Sequence, residues 1–185
     1  MASLIYGTNA SLDGYINDAD GNFDWSVPDE TLHDYFAGLV ARCGTFLYGR
    51  RLHQTMAIWQ EWAGRDDLDP PMRRFADAWA DADKVIYSRT LDRAGIDRAR
   101  IVRDFVAEEV RALVDAAERD VLIGGAELAG AAFQAGLIDE VVLAVHPVLV
   151  GGGTPAFPTG LRADLRLVES REFPGGVVVL RYVPR

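Results

Sequence analysis

This 185-residue chain is poor in several residue types that mark particular classes of protein. Cys43 is its only cysteine, which excludes an internal disulfide and leads us to expect a reducing, cytoplasmic location. The three histidines and Cys43 lack the spacing of zinc ligands, so we expect no metal site. No apolar run reaches the ~20 residues of a membrane helix, and the amino terminus does not resemble a secretory signal. We therefore expect no membrane partner.

Positive charge is also scarce, because the formal net charge is −9 and lysine occurs once, as Lys84. A general nucleic-acid-binding protein would show a basic face, so we expect no nucleic-acid partner. Hydrophobic residues make up 49% and charged residues 25% of the chain, as in ordinary globular domains. The length predicts one domain over residues 1–185.

Strand-like and helix-like apolar patterns alternate along the chain. Strands are predicted at 2–8, 45–48, 84–87, 101–102, 121–123, 141–145, 165–173 and 177–183, and helices at 29–43, 51–62, 71–82, 106–117 and after 125. The polar stretch from Asn9 to Trp25 is predicted to be a long loop, and Pro174-Gly175-Gly176 a hairpin turn. This alternation predicts an α/β fold of three α/β/α layers, with a mainly parallel sheet and an antiparallel carboxyl-terminal hairpin.

Three short motifs directly follow predicted strands: Gly49-Arg50-Arg51, Ser88-Arg89-Thr90 and Gly124-Gly125. Ligands of parallel α/β sheets bind beyond the carboxyl ends of the strands. Arginine forks and free helix amides are both suited to phosphate. Each motif also has a structural interpretation, as a tight turn or a solvated helix start, and the glycine pair is not a dinucleotide-binding G-x-G-x-x-G fingerprint. Their common position favours an anion site.

Five segments in order make the chain resemble the dihydrofolate reductase-like superfamily. It is most similar to the branch of the reductase domain in the bacterial bifunctional riboflavin-biosynthesis deaminase-reductase. The matching segments cover nearly the whole chain and are residues 11–16 (SLDGYI), 21–25 (GNFDW), 47–51 (LYGRR), 85–90 (VIYSRT) and 124–153. The resemblance implies a dihydrofolate reductase-like fold, an NADPH-dependent reductase and a homodimer.

The resemblance also implies which residues contact the cofactor. It places Gly49, Arg50 and Arg51 at the 2′-phosphate and adenine-side phosphates of NADPH. Ser88 and Arg89 lie beside them in this scheme, and their charge would favour NADPH over NADH. The pyrophosphate would face the turn and helix start formed by Gly124, Gly125, Ala126, Glu127 and Leu128. The family often has Thr where this chain has Leu52, so one hydroxyl is missing.

On the substrate side, the resemblance points to the Asp13 loop and to the segment that begins at Trp25. Asp13 is a candidate for substrate binding or proton transfer, or else a loop hydrogen-bonding residue. Trp25 is expected to be a pocket wall or a loop anchor. The spacing Trp, Pro three later and acid five later selects Glu30 as the substrate-contacting, catalytic acid, although Glu30 also suits an ordinary acidic first turn of a helix.

The remaining acids and histidines are assigned structural roles. Asp139-Glu140 is expected to end a helix or to contact a second subunit rather than act as an acid–base pair. His146 is expected to be a satisfied, buried or interface histidine. His33 and His53 lie in predicted helices and are expected to be solvated.

These patterns predict an oxidoreductase that passes a hydride from NADPH to a small heterocycle. The candidate acceptors are a ribosylaminopyrimidine of riboflavin biosynthesis, as for 5-amino-6-(5-phosphoribosylamino)uracil reductase, and a pterin such as dihydrofolate. The H-x-E and C-x-x-C pattern of the zinc deaminase module is absent. A nucleotide-binding protein that kept the fold but lost turnover is the alternative function.

Overall fold

The computed structural model describes all residues from Met1 to Arg185. Its strands are β1 (Leu4–Ser11), β2 (Tyr15–Asn17), β3 (Cys43–Gly49), β4 (Asp83–Tyr87), β5 (Ala99–Val102), β6 (Asp120–Gly124), β7 (Glu140–His146), β8 (Thr154–Pro155), β9 (Leu165–Glu172) and β10 (Val178–Pro184). Its α-helices are α1 (Glu30–Arg42), α2 (Arg50–Met56), α3 (Ile58–Trp62), α4 (Pro70–Asp81), α5 (Ala107–Ala116) and α6 (Ala126–Gln134). None of them is long and apolar enough to cross a membrane.

One eight-stranded sheet runs through the molecule in the order β5-β4-β3-β6-β1-β7-β10-β9. The six strands from β5 to β7 are mutually parallel, whereas β10 is antiparallel to both β7 and β9. The predicted α/β fold, with its parallel sheet and antiparallel carboxyl-terminal hairpin, is therefore confirmed. A second, two-stranded sheet joins β2 to β8.

Alternation along the central strands divides the core into two layers. Ile5 belongs to the cluster beneath α1 and α4, in which Trp79 is fully buried. Its neighbours Leu4 and Tyr6 belong to the opposite cluster, which packs against α5 and α6. Central strands that bury both faces are typical of parallel sheets covered by helices on each side. The three predicted layers follow from this pattern.

Two boundaries differ from the sequence prediction. The single helix expected over 51–62 is divided into α2 and α3 at Ala57. There the helical hydrogen-bond pattern is interrupted, and the Gln60 amide donates to the carbonyl oxygen of Ala57, only three residues before it. The long loop expected from Asn9 to Trp25 is partly structured. Its first residues continue β1 through Ser11 because they pair with β7, and β2 lies within it. Pairing with distant strands decided both of these strand assignments.

The expectation that His33 and His53 are solvated is wrong. His33 is half-buried between the rings of Trp59 and Phe75, at centroid distances of 5.7 and 5.5 Å. His53 is 3% exposed, and its Nε2 lies 2.8 Å from the Ala94 carbonyl oxygen. Burial lowers the pKa of both imidazoles. Tertiary contacts of α2 and α1, invisible in the helical periodicity, account for the difference.

Candidate functional site

The three strand-end motifs lie side by side at one edge of the sheet. Gly49 ends β3, Ser88 directly follows β4, and Gly124 ends β6, and these three strands are adjacent in the order β4-β3-β6. The register pairs Gly49 with Tyr87 and Tyr48 with Gly124, so the three ends are level. The carboxyl ends of β1 and β7 continue the same edge. The predicted convergence of the motifs is therefore present in the fold.

The Gly124-Gly125 turn opens directly into α6. Gly125 has φ +90°, a backbone conformation that an L side chain rarely adopts, and it caps the helix without any side-chain hydrogen bond. The first amides of a helix have no intrahelical partner, so the amides of Ala126, Glu127 and Leu128 face the helix end. The exposed Glu127 side chain is the only acid in the first turn. This turn has the shape and polarity of a phosphate cradle.

Close packing explains why the residue before the cradle is also glycine. A Cβ on Gly124 would lie 2.4 Å from Cδ2 of Leu52 and 3.6 Å from the ring of Tyr48. Leu52, which stands where the resembled family often has a hydroxyl, packs against the core cluster beneath α1. The missing hydroxyl is thus replaced by an apolar contact that holds α2 against the glycine turn.

Arg50 and Arg51 begin α2 directly after Gly49. Both side chains are exposed, and neither forms an ion pair. Nη1 of Arg50 donates to Oγ1 of Thr90 at 3.2 Å, which links the β3 and β4 motifs. Cations at a helix amino end oppose the helix dipole, and here no protein anion compensates them. Their guanidinium groups are available to an external anion.

Ser88 and Arg89 are engaged within the protein. The Ser88 hydroxyl oxygen accepts hydrogen bonds from the amides of Leu91 (3.0 Å) and Thr90 (3.4 Å), which shapes the turn after β4. The Arg89 guanidinium donates from Nε and Nη2 to Oδ1 of Asp104, at 2.8 and 2.6 Å. This exposed ion pair is weak and salt-dependent, so an incoming phosphate would have to compete with it. Arg89 is consequently less available than Arg50.

Two residues that the sequence analysis did not select hold the loop after β4. Nη1 of Arg103 donates to the carbonyl oxygens of Ser88 (2.9 Å) and Leu91 (2.8 Å). His53 contacts the same loop further on, through Ala94. Arg103 is a lone arginine after a short strand, and nothing in the sequence marks it as a residue that holds this loop. Only the fold brings it under the loop.

Asp13 is a loop-organising residue. Its carboxylate accepts hydrogen bonds from the amides of Val150 (3.2 Å) and Gly151 (2.8 Å), which fastens the loop after β1 to the glycine-rich loop after β7. The pKa of this carboxyl is lowered, chiefly by the Ser11 hydroxyl and also by these two amides. Of the two roles left open for Asp13, the structure shows the hydrogen-bonding one.

A cavity of about 280 Å³ opens beside the end of β7, the strand that pairs with β1. Ten residues line it: Trp25, Val27, Asp29, Leu32, His146, Pro147, Val148, Pro174, Gly175 and Val177. Trp25 is one of these lining residues. Its indole Nε1 is buried without a hydrogen-bond partner in the protein. Buried donors are normally satisfied, so this N–H is suited to a ligand acceptor.

The acid that lines the cavity is Asp29 rather than Glu30. Asp29 is the N-cap of α1, where its Oδ1 accepts from the amide of Leu32 at 2.8 Å, and Oδ2 has no partner. Glu30 is exposed in the first turn and is not among the lining residues. The Trp-to-acid spacing therefore identifies the right turn, but the neighbouring carboxylate faces the cavity.

His146, at the end of β7, connects the cavity to β1. Its Nε2 lies 2.9 Å from Oδ1 of Asn9, and its ring packs edge-on against Trp25 at 5.5 Å. The side chain is 3% exposed, and burial lowers its pKa, so the imidazole is neutral at physiological pH. The expected buried, satisfied histidine is present, and it also forms part of the cavity wall.

Asp139 and Glu140 lie at the opposite edge of the sheet, where β7 begins. Oδ2 of Asp139 accepts from the amide of Leu4 at 2.9 Å. The buried Glu140 pairs with Arg181 at 3.0 Å and with Arg42 at 3.5 Å. These contacts join β7 to β1, β10 and α1, so the pair stabilises the fold and is remote from the cavity.

The fold is an α/β domain of the dihydrofolate reductase-like kind. The family model of the RibD C-terminal domain matches residues 2–179, and the chain belongs to this family. The family is that of a reductase domain, which supports an oxidoreductase and a riboflavin-biosynthesis-type role. Among curated proteins, the uncharacterized protein YyaP of Bacillus subtilis (strain 168) is 30% identical over 184 residues, covering 97% of this chain and 93% of that protein.

Solved structures show the same fold. A putative riboflavin biosynthesis protein from Shewanella sp. PV-4 superposes with a TM-score of 0.76 at 22% identity, covering 99% of both chains. RibD of Acinetobacter baumannii has a TM-score of 0.67 at 19% identity and covers all of this chain, but this chain spans only 58% of RibD. The Thermotoga maritima diaminohydroxyphosphoribosylaminopyrimidine deaminase/5-amino-6-(5-phosphoribosylamino)uracil reductase has a TM-score of 0.68 at 13% identity, with 57% of its length covered.

Proposed function

We propose that the protein is an NADPH-dependent reductase that transfers a hydride to a small heterocycle. One observation carries the proposal: the cationic and glycine-rich ends of β4, β3 and β6 lie at the same end of the sheet as the cavity beside β7, with only the end of β1 between them. A dinucleotide bound along this edge would place its phosphates over the motifs and its other end near the cavity. RibD-type reductases are generally NADPH-dependent, which supports this choice.

The residues at the motifs fit the phosphates of such a cofactor. Gly125 leaves open space at the helix start, where the nearest atom to an added Cβ is Cβ of Leu52 at 4.0 Å. Arg50 and Arg51 provide two uncompensated positive charges, whereas Arg89 must first leave Asp104. Arg50 and Arg51 would favour a 2′-phosphate, and the amides of α6 would hold the pyrophosphate.

When bound, NADPH supplies the hydride that, with one proton, converts a C=N bond of the acceptor to C–H and N–H and leaves NADP⁺. The chain itself orients the acceptor and excludes water from it. Trp25 and Leu32 provide apolar walls, and Asp29 and His146 provide polar contacts. His146 is neutral, and Asp29 is exposed to solvent, so the proton would reach the acceptor from water at the cavity mouth.

The acceptors consistent with the family are a ribosylaminopyrimidine and a pterin. The alternative, a nucleotide-binding protein without turnover, is favoured by one observation: the candidate catalytic acid Glu30 is not among the residues that line the cavity. Two measurements distinguish these functions. Calorimetric titration with NADPH tests binding, and NADPH absorbance at 340 nm with each acceptor tests turnover. Binding without oxidation by any acceptor would support the alternative, and absence of binding would contradict both.

We also propose that the chain forms a homodimer in which the outermost strands, β9, of two copies pair with each other. The outermost strand, β9, spans eight residues with an unpaired edge, and its Leu167 and Val168 are 48% and 40% exposed. Exposed apolar edge strands favour pairing with another chain. Light scattering measures the molar mass of the wild type and of a Val168→Lys variant. We expect the mass of a dimer for the wild type and the mass of a monomer for the variant.

A further inference from the structure

The two halves of the proposed site carry opposite charge. Residues 1–41, which supply β1, the loop after it and most of α1, contain no lysine or arginine. They carry seven carboxylates: Asp13, Asp18, Asp20, Asp24, Asp29, Glu30 and Asp34. The first cation of the chain, Arg42, lies at the far end of α1 and is paired with Asp120 and Glu140. The positive charge at this end of the sheet lies after β3, β4 and β5, on Arg50, Arg51, Arg89 and Arg103.

The cavity shares this deficit of cations. Among its ten lining residues Asp29 is the only charged one. Arg171, the cation nearest in the chain to the lining residue Pro174, is held over the rings of Phe173 (4.7 Å) and Tyr35 (5.8 Å). Arg50 and Arg51 are separated from the cavity by two strands, β6 and β1. An anionic ligand in this cavity would therefore face a carboxylate and no counter-charge.

The uncommitted polar groups of the cavity define a complementary ligand. Oδ2 of Asp29 accepts hydrogen bonds only, and Nε1 of Trp25 donates only. The imidazole of His146 is hydrogen-bonded through Nε2, and its Nδ1 has no hydrogen-bond partner in the protein. Nδ1 is not among the fully buried polar atoms. A volume of about 280 Å³ is just below the roughly 300–1,000 Å³ usual for small-molecule sites, so the ligand is compact.

We infer that the acceptor is an unphosphorylated heterocycle, neutral or cationic, with N–H groups for Asp29 and a carbonyl or ring nitrogen for Trp25. This inference rests on the proposed function and narrows it. A phosphate monoester carries about −1.5 to −2 charges at neutral pH and needs arginine, lysine or a helix amino end. The cavity is lined by no arginine and no lysine. The nearest helix amino end, that of α1, is capped by the carboxylate of Asp29. The 5-phosphoribosylamino form of the pyrimidine is therefore disfavoured relative to its dephosphorylated form.

The test compares two acceptors that differ only in the phosphate. The full chain is given NADPH with 5-amino-6-(ribosylamino)uracil or with its 5-phosphate, and kcat/KM is measured from the absorbance at 340 nm. Binding of each compound to protein saturated with NADP⁺ is measured by calorimetry. We expect kcat/KM and affinity to be about tenfold or more higher without the phosphate. The penalty should shrink as salt is raised from 50 to 500 mM, roughly, because salt screens the repulsion.

A gain-of-function variant supports the comparison. Val27 lines the cavity and is 76% exposed, so Val27→Arg adds a cation at the mouth without disturbing the core. It should raise the ratio of kcat/KM for the phosphorylated acceptor to kcat/KM for the unphosphorylated one at least fivefold, roughly. Ala116→Arg adds the same charge on an exposed residue at the end of α5, near the start of β6 and the opposite edge of the sheet. It should change neither value.

The outcomes separate this inference from the proposed function. Equal or better use of the phosphorylated acceptor would overturn the inference while the reductase function stands. The inference is also overturned if neither 5-amino-6-(ribosylamino)uracil nor an unconjugated dihydropterin, which lacks the glutamate carboxylates of dihydrofolate, binds to protein that has bound NADP⁺. If the protein does not bind NADPH, the proposed reductase function is contradicted, whichever acceptor binds in the cavity.

Discussion

Substitution of Gly125 by alanine tests the phosphate cradle most directly. Gly125 has φ +90° and ψ 123°, outside the regions that L residues favour, so alanine costs about 1–3 kcal/mol of folding stability. The methyl group itself has room, because the nearest protein atom would lie 4.0 Å away. Since small domains have roughly 5–15 kcal/mol of stability, we expect the variant to fold.

We expect Gly125→Ala to reduce the affinity for NADPH more than it reduces the folding stability. A methyl group at this turn would stand between the phosphate and the first amides of α6. One lost hydrogen bond to a charged group is worth about 1.5–3 kcal/mol, or roughly a 10- to 150-fold increase in the dissociation constant of NADPH. Calorimetry on material shown to be folded by circular dichroism measures this constant. We expect the thermal midpoint to fall by only several degrees.

Gly136 supplies the matched control at the other end of the same helix. It has φ +64°, and an added Cβ would meet nothing within 4 Å. Gly136→Ala therefore introduces backbone strain of the same kind, far from the motifs. We expect it to lower stability and to leave the NADPH dissociation constant unchanged. A folded Gly125→Ala protein that binds NADPH within twofold, roughly, of the wild type would refute the cradle.

Three further substitutions test separate parts of the structure. Arg50→Ala should weaken NADPH by about 1.5–3 kcal/mol and NADH much less, because only NADPH carries the 2′-phosphate, and equal losses by calorimetry would remove that role from Arg50. Burial lowers the pKa of Lys84 from 10.5 to about 8, so this lysine holds more protons in the unfolded chain between these values, and its own contribution to the free energy of unfolding should rise with pH across them by about 3 kcal/mol. Urea unfolding of Lys84→Met at pH 8 and 10 should lack this rise, and parallel pH curves for the two proteins would contradict the assignment. Glu140→Ala should cost roughly 1–3 kcal/mol in urea unfolding, because it removes the buried carboxylate from Arg181, which then keeps only Glu169 at 2.8 Å, and a loss below about 0.5 kcal/mol would show that the ion pair contributes little.

The site was only partly predictable, and the reason differs from residue to residue. Gly125 and Arg50 stay predictions, and a local rule pointed to each of them: glycine at a strand-to-helix turn, and a cation where the helix dipole disfavours one. Glu30 was selected by spacing, yet Asp29 faces the cavity. A one-residue step rotates a side chain by about 100° around a helix, and the spacing alone does not fix that rotation.

Residues joined by the fold alone escaped prediction. His146 and Asn9 are separated by 137 positions and meet because β1 and β7 are paired in parallel. Arg103 lies under the loop after β4 because β4 and β5 are neighbours. Neither residue stands in a local pattern. Long-range strand pairing, which no window of sequence contains, creates both contacts.

By itself, the sequence determined the element types, the layered α/β class, the hairpin at Pro174 and the chemical character of each strand end. Periodicity and turn chemistry are local properties, and they act over a few residues. Tertiary structure alone decided that the ends of β4, β3 and β6 are adjacent, that a cavity without cations lies beside β7, and that Asp29 faces it. Strand order and the rotation of each side chain depend on which distant surfaces pack together, and that packing is a property of the whole chain.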